Sequence, residues 1–179
     1  MTITITESEM NFGPYLRDIC FHIEASNTYN RIKQNVKMAE FLLLKARIRK
    51  PPILLIVEAK TSAPHPDNTP DFTEYINEIR EKLVNAFSLY WASRLGRHNQ
   101  AKAELPVGYR TLELSQVEVR LVLVIKNLRG SHLNDVQDKL TKALRPAVKT
   151  WSLGPTPVVV LNEQGAIDKG LVNTGQTTP

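Results

Sequence analysis

The chain has 179 residues, of which 42% are hydrophobic and 23% are charged. This length supports one domain with a substantial core and is short for two. No apolar run exceeds five residues, whereas a membrane-spanning helix needs about 20, so we expect no membrane partner. A single cysteine, Cys20, excludes an internal disulfide framework. The first residues lack the pattern of a secretory signal, and a cytoplasmic location is therefore the default expectation.

The net charge of +5 is concentrated in one late segment. Residues 119–151 contain seven Lys or Arg residues and two Asp residues, whereas the rest of the chain is balanced. Together with a pI of about 9.4, this distribution is compatible with a polyanionic partner such as nucleic acid. The alternative is a basic face that is merely solvated.

The first part of the chain is rich in β-forming patterns. Alternation of isoleucine and threonine predicts a short strand over residues 1–7, and Gly13-Pro14 then breaks the pattern. Residues 18–23 have a strand-like composition, and residues 27–35 are compatible with a helical turn or two.

Two apolar runs, over residues 36–44 and 52–59, predict adjacent strands. The basic residues 45–50 and the proline pair would connect them. The second run predicts a strand that is buried on both faces. Residues 61–70 contain three prolines and predict a loop.

A long helix is predicted from Asp71 to about Gly96, because apolar residues recur there at spacings of three and four. Its opposite face carries polar residues, namely Glu74, Glu78, Glu81 and Lys82. Residues 117–125 then predict a strand with apolar residues on both faces.

Asn134 is a candidate N-cap of a second helix, which Pro146 would kink or end. Residues 157–161 predict a last strand, and residues 173–179 predict a flexible C-terminal tail. This order of elements predicts a single α/β domain over residues 1–172, with a mixed central sheet flanked by helices.

Two acids and one amine are predicted to meet at one end of the central strands. Glu58 and Lys60 follow the most hydrophobic run, and their spacing of two places both side chains on one face of a strand. Glu40 stands in the preceding apolar run, so it would converge with Glu58 if the two runs pair. Two carboxylates can hold a hydrated Mg²⁺ that also binds a phosphate, and an ammonium group can orient the attacking water. This chemistry is phosphodiester hydrolysis.

The arrangement resembles the PD-(D/E)xK nuclease superfamily, which has the restriction-endonuclease-like fold. The likeness rests on the acid Glu40, on Glu58-Ala59-Lys60, and on the long helix, strand and helix that follow. It covers roughly residues 15–162. In this sequence Ala39-Glu40 stands where the family usually has Pro-Asp, so the first metal ligand has a longer side chain. The resemblance implies a restriction-endonuclease-like mixed sheet.

The resemblance also implies a metal-dependent nuclease that uses Mg²⁺ or Mn²⁺, with DNA favoured over RNA as the substrate. Glu40 and Glu58 would bind the metal ion, and Lys60 would act on the attacking water. Glu24 is a further candidate ligand by position. A homodimer is compatible with such a nuclease, because cutting both strands of a duplex commonly takes two active sites. Two basic segments are candidates for contact with the nucleic-acid backbone: Lys45, Arg47, Arg49, Lys50, Lys139, Lys142, Arg145 and Lys149.

A structural role is the alternative for the same residues. An acid-x-Lys tripeptide also occurs by chance, and Glu58 and Lys60 would then form an ion pair at the margin of the sheet. On that interpretation the protein is a non-catalytic module that keeps this fold and binds nucleic acid or another protein.

Overall fold

A computed structural model of the chain describes residues 1–174. Within these residues the strands are β1 (Thr2–Glu7), β2 (Met10–Leu16), β3 (Cys20–Phe21), β4 (Phe41–Arg47), β5 (Lys50–Lys60), β6 (Glu118–Ile125) and β7 (Val158–Asn162). The α-helices are α1 (Asn27–Ile32), α2 (Thr69–Arg94), α3 (Ala101–Glu104), α4 (Val107–Arg110), α5 (Gly130–Thr150) and α6 (Glu163–Asp168). A 3₁₀ turn, Leu114–Gln116, precedes β6.

A mixed sheet of five strands has the order β3-β4-β5-β6-β7. β4 is antiparallel to β3 and β5, whereas β5, β6 and β7 are parallel to one another. Each parallel step contains a long helix, α2 or α5, because the chain must return across the sheet before the next parallel strand can begin. β1 and β2 form a separate antiparallel hairpin.

Both faces of the central sheet are covered. One face packs against α2 and α5 through side chains such as Leu54, Ile56 and Leu121. The other face packs against the β1–β2 hairpin and α6 through alternate residues of the same strands, such as Leu55 and Val122. This burial on both faces explains why β5 and β6 are almost continuously apolar. The predicted mixed sheet with flanking helices is therefore confirmed.

α2 follows its prediction closely. It begins at Thr69, slightly before the predicted start, and ends at Arg94. Its buried residues include Ile79 and Leu83, as the apolar periodicity predicts. Gly96 then adopts a left-handed φ of 67°, a conformation that costs glycine little and that commonly ends helices.

The predicted basic connection at residues 45–50 is instead part of a strand hairpin. β4 and β5 remain paired as far as Arg47 and Lys50. The turn consists of Ile48 and Arg49, and Arg49 has a positive φ of 56°. The prediction was wrong because the exposed end of a strand pair needs no apolar pattern, so its residues have the polar composition that is typical of a loop.

α5 begins before its predicted N-cap, and it does not end at Pro146, which was one of the two outcomes predicted there. It starts at Gly130, before the candidate cap Asn134, and continues through Pro146 to Thr150. A proline inside a helix removes one backbone hydrogen bond. Packing of the apolar face of α5 against the sheet offsets this loss, since tertiary packing supplies most of a helix's stability.

The described end of the chain is held by the hairpin. Val172 pairs with Phe12, and the backbone N–H of Asn173 donates to the carbonyl of Asn11 at 2.8 Å. Most of the predicted tail at residues 173–179 lies outside the described residues. Among residues 1–174, no helix has both the length and the apolarity that a bilayer span requires.

The predicted break at Gly13-Pro14 is also absent, because β2 runs through it. Gly13 has a φ of 101°, which L side chains rarely adopt. A Cβ atom on this residue would lie 2.9 Å from both the carbonyl oxygen of Ile3 and the backbone N of Tyr15. The hairpin therefore needs glycine here.

We expect Gly13→Ala to reduce the free energy of unfolding by about 2 kcal/mol or more, because strain in φ adds to a backbone clash. Urea titration followed by circular dichroism measures this change. Gly154→Ala is the matched control, since a Cβ atom there meets no atom within 4 Å. Equal stability of the two variants would contradict the requirement for glycine at position 13.

Candidate active site

Glu40, Glu58 and Lys60 lie together at one end of β4 and β5. Glu58 and Lys60 alternate in phase with the residues of β5 that pack against α2. Glu40 immediately precedes β4, and its backbone N–H donates to the carbonyl of Val57 at 3.0 Å. The pairing of β4 with β5 therefore brings the two carboxylates to the same corner of the sheet.

A lysine from α2 lies between the two carboxylates. Nζ of Lys82 is 2.8 Å from Oε1 of Glu58 and 3.7 Å from Oε1 of Glu40. Nζ of Lys60 is 3.5 Å from the same oxygen of Glu58 and donates to Oε1 of Glu78 at 2.9 Å. The helix thus adds one ammonium and one carboxylate to the three groups supplied by the strands.

Each of the two strand carboxylates keeps one oxygen without a partner. Oε2 of Glu40 and Oε2 of Glu58 are buried and accept no hydrogen bond from the described residues. Glu40 is 5% exposed and Glu58 is fully buried. An unpaired buried carboxylate oxygen costs free energy, so these atoms mark positions where a ligand would stabilise the site. Lys60 and Glu78, with side chains 25% and 35% exposed, form the solvent-facing margin of this corner, whereas the two carboxylate oxygens are covered.

The two carboxyl groups carry strongly perturbed pKa values. Burial raises the pKa of Glu58 to about 7, although the charge of Lys82 opposes the shift. The pKa of Glu40 rises to about 9, first because of burial, then because of the adjacent carboxyl group of Glu24 and repulsion from Glu58. Burial lowers the pKa of Lys82, but its carboxylate neighbours outweigh burial and raise it overall. Burial therefore disfavours the charged form of both carboxyl groups, and it does so more strongly at Glu40 than at Glu58.

Two further carboxyl groups and one imidazole lie close to Glu40 at the margin of the sheet. Glu7 ends β1, His22 follows β3, and Glu24 lies in the turn before α1. One ligand atom from each of these residues and one from Glu40 all lie within 4.8 Å of one another. The structure therefore places Glu24 beside Glu40, in a turn, together with two residues that the sequence did not indicate.

The basic residues of the β4–β5 hairpin lie at the other end of the strands. Arg47 is seven residues from Glu40, and at about 3.3 Å per residue the two are roughly 23 Å apart. Arg47 pairs with Glu118 at 2.7 Å, and Lys45 donates to a backbone carbonyl at 3.0 Å. The remaining residues of the segment are exposed: Arg49 and Lys50. The structure does not bring this segment to the acidic corner, because the length of β4 separates them.

The basic stripe of α5 is exposed, opposite the buried face of the helix. Its members are Lys139, Lys142, Arg145 and Lys149. α5 begins shortly after the C-terminal end of β6. Because β5 and β6 are paired and parallel, Lys60 lies at this same end of the sheet. Acidic side chains, including Asp135 and Asp138, line a shallow cavity together with Lys139 and Lys142 and offset part of their charge.

The prediction that Lys82 lies on the polar face of α2, opposite the apolar stripe, was wrong, because its side chain is 15% exposed and its Nζ lies 2.8 Å from Glu58. Lys82 lies three residues after Ile79 and four before Ala86, both buried, so helical geometry places all three on one face. A lysine within the apolar stripe of a buried helix predicts a charged partner beneath it. No comparable pattern indicated Glu7 and His22, whose positions depend on how the hairpin packs.

We expect Glu40→Gln to stabilise the protein in EDTA at pH 8, because glutamine resembles the protonated acid. The folded-state pKa of about 9 lies above the ordinary value of 4.5, so the wild type loses stability as the pH rises through this window. The gain should be on the order of 2 kcal/mol, or roughly 4–8 °C in Tm, and should vanish near pH 5. Thermal unfolding at pH 5 and pH 8 tests it.

Glu81→Gln is the control, because Glu81 lies on α2 and forms only a surface pair with Lys37 at 3.7 Å. Its Tm difference from the wild type should be small at both pH values. A Glu40→Gln variant that gains nothing at pH 8 would show that the buried carboxyl carries no electrostatic cost.

We expect Lys82→Met to destabilise the protein by about 2–4 kcal/mol at pH 8, because it removes the partner of a fully buried carboxylate. The double variant Lys82→Met/Glu58→Gln should recover most of this loss, because it removes the buried charge as well. Chemical denaturation of the wild type, both single variants and the double variant gives the coupling energy. Purely additive effects would be incompatible with a direct interaction between Lys82 and Glu58.

Comparisons of the chain with protein-family models, with curated proteins and with solved structures return no match.

Proposed function

We propose that this protein is a metal-dependent nuclease that hydrolyses phosphodiester bonds of nucleic acid, with DNA favoured as the substrate. The proposal rests on one observation. Two carboxylates from adjacent strands converge, each with a buried oxygen that has no partner, beside a lysine that solvent can reach. The chain order of acid, acid-x-Lys, helix, strand and helix also supports a likeness to PD-(D/E)xK nucleases.

The donor set at this corner suits a hard divalent cation. Oε2 of Glu40 and Oε2 of Glu58 are carboxylate oxygens, the ligands that Mg²⁺ and Mn²⁺ prefer. A cation there would satisfy two atoms that are otherwise buried and unpaired. When bound, it would polarise the phosphoryl oxygen and lower the pKa of a coordinated water.

Lys60 is the residue placed to act on the phosphodiester. Its side chain is 25% exposed, and its ammonium group donates to Glu78 at 2.9 Å. In hydrolysis a water oxygen bonds to phosphorus, the bond to the leaving oxygen breaks, and a proton reaches the leaving group. Lys60 would hold the attacking water and neutralise charge that develops on the phosphoryl oxygens. Glu78 would act as a positioning residue, because it fixes the direction of Nζ.

Lys82 has a different role in this proposal. Its side chain is 15% exposed, and its Nζ lies near both Glu58 and Glu40, so it compensates their charge while no cation is bound. This pairing allows two like-charged side chains to remain buried side by side.

The exposed stripe of α5 is the surface that we propose for contact with the nucleic-acid backbone. α5 starts near the end of the strands that carries Lys60, whereas the β4–β5 hairpin turn lies at the opposite end of the strands. Lysines and arginines on one helix face bind phosphates without reading sequence.

Incubation of the purified chain with plasmid, single-stranded DNA and RNA, in Mg²⁺, in Mn²⁺ and in EDTA, tests the proposal. We expect cleavage that requires the metal ion. Lys60→Ala and Glu58→Gln should each reduce the rate by about 100-fold or more, since each removes a group that stabilises the transition state.

Lys102→Ala and Glu81→Gln serve as matched controls, because each removes one charge outside the corner. Both should cleave at the wild-type rate. Metal-independent cleavage, or cleavage that survives in Lys60→Ala and Glu58→Gln, would point to a contaminating nuclease and refute the assignment.

A non-catalytic binding module is the second candidate. The observation that favours it is the 2.8 Å contact of Lys82 with Glu58, which already provides the buried carboxylate with a structural partner. Nucleic-acid binding without cleavage under every metal condition would support this module over the nuclease.

A further inference from the structure

Four side chains meet beside the proposed catalytic corner, and they come from separate parts of the fold. Glu7 belongs to the β1–β2 hairpin, His22 follows the edge strand β3, Glu24 lies in the next turn, and Glu40 precedes β4. One potential ligand atom from each residue lies within 4.8 Å of the other three. Residues distant in sequence thus converge on a space of the size that a single ion occupies.

The spacing of these atoms is close to that of a ligand shell. Ligands on opposite sides of an ion bound at about 2.1 Å are about 4.2 Å apart. Four atoms that lie within 4.8 Å of one another would each need to move by less than about 1 Å to reach these bond lengths. Glu7 and His22, with side chains 31% and 28% exposed, have room for this adjustment.

A second observation at the same place is independent of the spacing. Glu40 is 5% exposed, and its Oε2 accepts no hydrogen bond from the described residues. Its Oε1 is 3.7 Å from Nζ of Lys82, beyond a normal hydrogen bond. The most buried member of the group therefore lacks the partners that a buried carboxylate requires.

The protein supplies little positive charge to this group. Lys82 is shared with Glu58, to which it lies closer, at 2.8 Å. Nε2 of His22 is 3.9 Å from Oε1 of Glu7, which is too long for a hydrogen bond. Three carboxylates in close proximity repel one another unless a cation lies between them.

The donor types discriminate between cations. Mg²⁺ keeps several waters and is usually held by one or two carboxylates. An imidazole nitrogen is a ligand of first-row transition metals, and their affinity for mixed nitrogen and oxygen sites exceeds that of alkaline-earth ions. A shell of three carboxylates and one imidazole therefore favours a transition-metal ion.

We propose that Glu7, His22, Glu24 and Glu40 form a binding site for a divalent first-row transition-metal ion, with Mn²⁺ bound in preference to Mg²⁺. The site shares Glu40 with the proposed catalytic pair, but its ligands Glu7 and His22 lie outside that pair. Metal binding here does not require that the chain cleaves nucleic acid.

Solvent can reach the site from outside the sheet. His22 lines an open cleft of about 480 Å³ together with Arg17 and Asn27. A hydrated ion can therefore approach the imidazole and Glu7 without unfolding of the core. Because β1 supplies one ligand, a bound ion would also connect the hairpin to the five-stranded sheet.

Titration of the EDTA-treated full chain with Mn²⁺ tests the proposal. The free ion is followed by electron paramagnetic resonance and the heat by calorimetry. We expect a site that binds Mn²⁺ at least about tenfold more tightly than Mg²⁺, and a higher Tm with Mn²⁺. His22→Gln and Glu7→Gln should each weaken Mn²⁺ binding at least about tenfold, with unchanged Tm in EDTA. Electron spin echo modulation should show nitrogen coupling to Mn²⁺, and His22→Gln should abolish it.

Glu9→Gln and His65→Gln are the matched controls. Glu9 lies on the same hairpin, with a side chain 68% exposed and paired with Lys126, and His65 is an exposed loop histidine. Both should bind Mn²⁺ like the wild type. The proposal is overturned if the wild type binds no Mn²⁺, or if His22→Gln and Glu7→Gln bind it undiminished.

The cleavage assay separates this proposal from the proposed function. If His22→Gln loses Mn²⁺ binding but the wild type cleaves no nucleic acid, the metal site is supported and the nuclease assignment is refuted. If cleavage requires Glu58 and Lys60 while Mn²⁺ binding does not depend on Glu7 or His22, the nuclease assignment is supported and this metal site is refuted.

Discussion

The burial of two carboxyl groups side by side is the constraint on which this structure depends. Glu40 and Glu58 lie where β4 and β5 pair, and almost no surface of either residue reaches water. Two carboxylates in such a place repel each other and lose their hydration, so the protein must supply compensating charge. Lys82 supplies part of it from α2. The packing of α2 on the sheet is therefore both an apolar contact and an electrostatic requirement.

The compensation is incomplete, and this imbalance has chemical consequences. Both carboxylates keep an unpaired oxygen, and the two sides of the corner differ in chemistry. Toward α2 lie Lys60 and the carboxylate of Glu78, which suits the activation of water and a phosphate. Toward the hairpin lie acids and an imidazole, which suits a cation. One buried carboxylate, Glu40, belongs to both sides and links the hairpin to the central sheet.

Local patterns were sufficient for the framework of the fold. The periodicity of three and four predicts α2, and the unbroken apolar runs predict β5 and β6, because burial on one face or two leaves a direct pattern in the sequence. The spacing of Glu58 and Lys60 likewise places both on one strand face. The predictions failed where exposure removes that pattern, as in the β4–β5 turn. They also failed at the start of α5, which begins at Gly130 and not at the candidate cap Asn134.

The sequence alone thus determined which charged residues stand at the ends of the apolar strands, but only the tertiary structure decided what surrounds them. Pairing of β4 with β5 sets the distance between the two acids, and the rotation of α2 aims Lys82 at them. Packing of the β1–β2 hairpin, which is distant in sequence, places Glu7 beside Glu40. The length of β4 separates Arg47 from Glu40. Side-chain periodicity is a property of one segment, whereas proximity between segments depends on how separate elements pack. Composition and spacing do not encode that packing.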